Sequence, residues 1–392
     1  MPNRLLPILL ALNLIVTCVL VGAVWMLSRR VDDLARKSDY HVSFPSYLEV
    51  YLRQKPISEE YAAMAATSPK PVVSVSCAAL SPDGRWLAIG TPEKLILWDM
   101  AKSIVSRQFH MGVAQAAFLD NETLATITFG QSTVYLWNTT IGRYSLKVGD
   151  GGASTGQSFM AIAPHPSGTL FALASRNERG IHIELYSKSS YRPLATLVAE
   201  SAHTSSILPE IRSLAFAGDG SAVFALFGTR LRMFRVENNL HALREDNPRF
   251  LPLLPLSLVS AFAIAPDGKH IVWGDEAGRV RVSVIGVQYP LQPSTSPVYP
   301  LQPQETAHNA TVRQIALSKD GKRMVSASED GIVVVWDTAT MRPIHRWSAH
   351  PLEVTAVLFT PDGKRLITAD AEGRVKIWNV RTGKKVRDIP VD

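Results

Sequence analysis

The chain has 392 residues, 46% of them hydrophobic and 19% charged, with a formal net charge of +7. That length and apolar content allow a substantial core and exclude a globally disordered chain. Residues 1–38 hold five basic and two acidic side chains, and the remaining excess is spread without any Lys/Arg block able to track a phosphate backbone. The charge therefore argues against nucleic acid as a partner. There are two cysteines, Cys18 and Cys77. Cys18 lies in an apolar run and Cys77 in a strand pattern, which excludes an internal disulfide of the soluble part and any CxxC metal or redox pair.

The first predicted element is a membrane anchor. From Leu5 to Leu27 the sequence LLPILLALNLIVTCVLVGAVWML carries no charge, and a helix of that length reaches about 35 Å, enough to cross a hydrocarbon core of about 30 Å. A cleaved signal peptide has a shorter apolar region and a small-residue cleavage site, which Val21-Gly22-Ala23 does not supply. Arg29, Arg30, Arg36 and Lys37 flank the C-terminal side against Arg4 on the other. The positive-inside rule then places the C-terminal part in the cytoplasm. Three Asn-x-Ser/Thr sequons, at Asn121, Asn138 and Asn309, are too easily met by chance to reverse that orientation. Residues 31–70 read as a juxtamembrane connector with a charged start and a proline stop.

From residue 71 the pattern changes to short strands and turns. Residues 307–337, AHNATVRQIALSKDGKRMVSASEDGIVVVWD, are followed by 349–379, AHPLEVTAVLFTPDGKRLITADAEGRVKIWN. Each unit places His 28 residues before Trp and contains three strand patterns separated by turn signals. After the last Trp, GKKVRDIPVD supplies a more polar fourth strand. Four antiparallel strands repeating every 40–50 residues mark the blade of a propeller. Fainter copies appear through their turns, at Gly84, Asn121, Gly168, Gly220, Gly268, Gly321 and Gly363, each between two strand-like runs. Seven blades are thus predicted over 71–392, making the fold all-β apart from the N-terminal helix.

These residues resemble the WD-repeat β-propeller family, over about residues 71–390. Blades one and two keep Trp98-Asp99 and Trp137-Asn138, whereas Tyr186, Phe234 and Ser283 stand at the Trp position of blades three to five. The resemblance implies a buried polar tetrad in each well-matched blade. In blade six it comprises His308, Ser326, Asp330 and Trp336; in blade seven, His350, Thr368, Glu372 and Trp378. A catalytic reading of His, Ser and Asp is disfavoured because the set repeats at the structural period. The resemblance further implies that partner proteins meet one face of the ring, at Thr311, Arg313 and Glu329 in blade six and Glu353, Thr355 and Ala371 in blade seven, with Ser260 and Glu276 in blade five.

Two further stretches carry weaker signals. GGASTGQS at 151–158 lacks the lysine of a phosphate-binding loop and precedes a strand. The Pro-rich 289–304, with YPLQP written twice, reads as a connector or an extended docking peptide. The ten histidines show no HxH or HExxH spacing, so no metal site, cofactor or enzymatic activity is expected. The expected function is a membrane-tethered protein-interaction scaffold, with an extracytoplasmic sensor or assembly factor as the alternative and a propeller enzyme behind both.

Overall fold

The computed structural model describes residues 74–129, 133–148, 158–201, 210–237, 242–245, 259–285 and 307–391. The expected anchor from Leu5 to Leu27, the connector 31–70 and the Pro-rich stretch 289–304 lie outside the described residues. Among the described residues no helix is long and apolar enough to cross a membrane.

Seven antiparallel sheets follow one another along the chain, each a meander in which sequence neighbours pair. Six have four strands, and the fifth has three among the described residues: Val259–Ile264, His270–Asp275 and Val280–Val284. The innermost strands pack side by side around a hub. The ring closes where Val354–Phe359 of blade seven packs against Cys77–Leu80 of blade one. Blade seven takes its outermost strand, Lys385–Ile389, from the chain that has just completed its third.

Burial follows from that placement. The second strands lie between blades on both faces and are apolar almost throughout; Trp86–Gly90 and Ala222–Phe227 are buried along their whole length. Outermost strands alternate or are polar, as in Ile104–Phe109, where IVSRQF is mostly exposed. The core is correspondingly divided. Seven apolar clusters each join two adjacent blades, including one that joins blades seven and one through Val75, Ile96, Ile377, Ile389 and Val391. Each blade is stabilised mainly by its neighbours, as expected for stacked repeats.

Register verifies the blade alignment. Trp98, Trp137, Trp336 and Trp378 pair across their sheets with Leu87, Leu124, Met324 and Leu366. Tyr186, Phe234 and Ser283 occupy the same register opposite Phe171, Val223 and Ile271. Six of the seven turn positions are glycines in the left-handed region, from Gly84 at φ 74° to Gly363 at φ 66°. Blade two departs from the expectation. Asn121 does not adopt a positive φ; instead the Asp120 carboxylate accepts the N–H groups of Glu122 and Thr123, at 2.8 and 2.7 Å, and fixes the turn locally.

Candidate functional site: the polar tetrads and the hub

In blades two, six and seven the third strand brings an indole towards a hydroxyl on the second. In blade seven Trp378 Nε1 donates to Thr368 Oγ1 at 2.8 Å, and His350 Nε2 lies 2.7 Å from the same oxygen. In blade six the corresponding distances are 3.1 Å from Trp336 Nε1 and 2.7 Å from His308 Nε2, both to Ser326 Oγ. Blade two retains the core of this arrangement, with Trp137 Nε1 donating to Thr126 Oγ1 at 2.9 Å. Blade one does not. Ile89 stands where the hydroxyl would be, two residues beyond Trp98's partner Leu87, and Trp98 Nε1 has no hydrogen-bond partner among the described residues.

The acid of blade seven is Asp370, not the expected Glu372. Asp370 Oδ2 lies 2.9 Å from His350 Nδ1 and accepts Arg374 Nε at 2.6 Å, while Oδ1 accepts the backbone N–H groups of Glu372 and Arg374. Glu372 turns outward and pairs with Arg374. The cause is geometric: Asp370 ends the strand Arg365–Asp370 and is fully buried beside the imidazole, whereas Glu372 lies two residues on, in the turn. Burial opposes ionisation of Asp370, but the bonds from His350 and Arg374 prevail and hold its carboxyl down at about 2.

Blade six places its acid at the expected residue, but more loosely. His308 Nδ1 is 3.5 Å from Asp330 Oδ1, too far for a good hydrogen bond, and Asp330 instead accepts the N–H groups of Asn309 and Ile332 at 2.9 Å each. Burial pushes the His308 imidazole down to about 4, against the opposing pull of Asp330.

Blade five keeps the pair by exchanging its members. Trp273 is on the second strand and Ser283 on the third, and Trp273 Nε1 donates to Ser283 Oγ at 3.2 Å. Its acid also follows blade seven: Asp275 accepts Arg279 Nε at 2.7 Å and the N–H groups of Ala277 and Arg279. The two turns read DEAGR and DAEGR. That shared spacing, and the ten residues separating Trp273 from Ser283 as they separate Thr368 from Trp378, were the available sequence signals for Asp275, Asp370, Arg279, Arg374 and Trp273.

At the hub a β-bulge interrupts the innermost strand in six blades, where one residue is skipped in the pairing register. Ser260, Arg313 and Thr355 are such residues, and with Thr311 they line a cavity of about 410 Å³ at the centre of the ring. The remaining expected partner residues lie around them. Arg313 is 2.6 Å from Glu329 and 3.3 Å from Glu353, an ion triad bridging blades six and seven. Glu329 N–H donates to Thr311 O and Ala371 N–H to Glu353 O. Glu276 is exposed in the blade-five turn and does not line the cavity. Side chains also tie neighbouring inner strands: Gln115 Oε1 accepts Ile162 N–H at 2.8 Å, Gln314 Oε1 accepts Val357 N–H at 2.6 Å, and Ser260 Oγ donates to Val312 O at 2.7 Å. Sequence reasoning missed both glutamines and Arg212, which lines the same cavity from blade four. No group of His, Cys, Asp or Glu suited to holding a metal ion occurs among the described residues.

A ring of seven such sheets around a polar hub defines the class of protein: a seven-bladed β-propeller. Residues 69–99, 301–337 and 341–379 match the family model of the WD domain, G-beta repeat. The chain is similar to the mouse apoptotic protease-activating factor 1, 25% identical over 284 residues, covering 68% of this chain and 19% of that protein. It is also similar to the mouse ribosome biogenesis protein BOP1, 26% identical over 297 residues, with 67% of this chain and 37% of the relative covered. The human cilia- and flagella-associated protein 52 is 24% identical over 183 residues, 46% of this chain and 25% of its own length. The match thus spans well under half the length of each of these relatives.

Proposed function

We propose that the protein is a membrane-tethered interaction scaffold whose propeller receives a partner protein on the face carrying Thr311, Arg313, Glu329, Glu353, Thr355 and Ala371. The observation that carries the reading is the hub: bulged residues of the innermost strands converge on one cavity, and the charged triad of Arg313, Glu329 and Glu353 stands at its rim. Bulges that re-aim side chains characteristically sit beside functional sites. The tetrads, by contrast, are buried and locked to their own blades, so they hold the scaffold and are not offered to a ligand. The relatives' names belong to unrelated processes, which suits a shared repeat scaffold more than a shared reaction. Tethering rests on the apolar run from Leu5 to Leu27 and cytoplasmic placement on the arginines that follow it.

The test is capture of partners from membranes by crosslinking, with three forms of the full chain. Arg313→Glu combined with Glu353→Arg is expected to reduce capture while leaving the melting temperature within a few degrees, because rim charges tune association more than folding. A charge swap at Lys364 and Arg365, at the turn on the opposite face, is expected to leave capture intact. Loss of capture in the second variant alone would move the partner to the other face. For the anchor, the intact chain is expected to stay in membranes through high-salt and alkaline washing. A C-terminal reporter fusion active only outside the cytoplasm would reverse the orientation.

A further inference from the structure

We infer that the hub cavity recognises an anionic side chain, carboxylate or phosphate, presented by the partner segment that docks on this face. The inference rests on the partner-face reading above and adds the chemistry of what enters. Two guanidinium groups, Arg212 and Arg313, line the cavity, and no acidic side chain does among the described residues. The remaining wall is hydroxyl, amide, thiol and apolar groups, Phe262 and Ile315 among them, and the polar ones add hydrogen-bonding capacity without opposing charge.

The two arginines differ in what they have left to offer. Arg313 is already shared between Glu329 and Glu353, so its charge is largely answered within the protein. Arg212 is exposed at the bulge of the strand Ile211–Phe216, and no carboxylate pairs with it among the described residues. A second, independent sign of an unmet partner is Thr355: its Oγ1 is buried at the cavity wall and makes no hydrogen bond among the described residues. A guanidinium and a hydroxyl donor facing a concave wall are what an incoming carboxylate or phosphate oxygen needs.

The experiment uses the full-length chain in detergent and three labelled probes followed by fluorescence anisotropy: a hexaglutamate peptide, its hexaglutamine counterpart, and a phosphoserine peptide of the same length. The expected result is binding of at least one anionic probe, weakened by added salt, and none of hexaglutamine. Binding of hexaglutamate assigns the group to carboxylates; binding of the phosphoserine peptide alone assigns it to phosphate. Arg212→Gln is expected to weaken the anionic probe about tenfold, about the worth of one charge-assisted hydrogen bond, while Lys364→Gln on the opposite face changes nothing. Equal binding of neutral and anionic probes, absence of binding, or an unaltered affinity in Arg212→Gln would overturn the inference. If Arg212→Gln has no effect while the Arg313/Glu353 swap still abolishes partner capture, the docking face stands and only its anion chemistry falls.

Discussion

At the scale of single residues, the buried indoles and the groups they meet dominate. Trp378→Ala removes a large buried ring and one of the two partners of Thr368 Oγ1, and Trp336→Ala removes a half-buried ring and one of the partners of Ser326 Oγ. Each is expected to cost about 3–5 kcal/mol in urea unfolding. Ser283→Ala removes no volume to speak of but orphans Trp273 Nε1 inside the sheet. Its cost is expected to be smaller, about 1–2 kcal/mol. Equal losses at all three positions would contradict the exchange of roles in blade five.

The two histidine–acid pairs also set a pH dependence: both groups lose stability as pH falls, each in its own window. His308 has a folded value of about 4, below its unfolded value, so the unfolded chain takes up a proton that the folded one refuses. Stability is unaffected above about pH 6.5 and falls as pH drops towards 4, by about 3 kcal/mol at most. Asp370, held at about 2, contributes stability that is present above its unfolded value near 4 and is lost as pH falls towards 2. Denaturant titrations at pH 7, 5 and 3 should show two successive losses. His308→Gln is expected to remove the first and leave the second; an unchanged loss between pH 7 and 5 would place the responsible group elsewhere.

At the scale of elements, the turn between second and third strands couples one blade to the next. Gly331 adopts φ 74° and its carbonyl accepts both Ala349 N–H and His350 N–H, while Gly278 does the same for His308 N–H. A Cβ on Gly331 would lie 2.2 Å from His350 O, a backbone atom with no room to move. Gly331→Ala therefore combines left-handed strain with a clash against the following blade. It is expected to lower the melting temperature by several degrees, whereas Gly363→Ala, where a Cβ meets only the Ser318 Cβ at 3.9 Å, carries the strain alone and should cost less. Thermal scans of the two variants separate these contributions.

At the scale of the whole molecule, the ring is held closed by the seam between blades seven and one. Ile389 and Val391 enter the apolar cluster shared by blades seven and one, and Arg387 donates to Ser103 across the seam. Deleting residues 385–392 removes the outer strand of blade seven and part of that cluster. It is expected to broaden and lower the unfolding transition, since blade seven loses a strand and the ring loses contacts at its closing seam. The Arg313/Glu353 charge swap, which acts only on the rim, should leave the transition sharp.

Repetition made much of this legible from sequence alone. A 42-residue recurrence of His, Gly and Trp, with strands alternating or apolar between turn residues, specifies seven meanders and even the register position of Tyr186, Phe234 and Ser283. Local rules sufficed because each strand pairs with its sequence neighbour. What the tertiary structure decided is where a side chain could find a partner across strands and blades. Asp370 took the place expected for Glu372 because strand direction buries one and turns the other out. Trp273 and Ser283 exchanged roles because a hydrogen bond requires two complementary groups in register, whichever strand carries each. Arg212 joined Arg313 only through the curvature of the ring, which brings residues 101 positions apart to one cavity wall and leaves no trace of that nearness in the linear order.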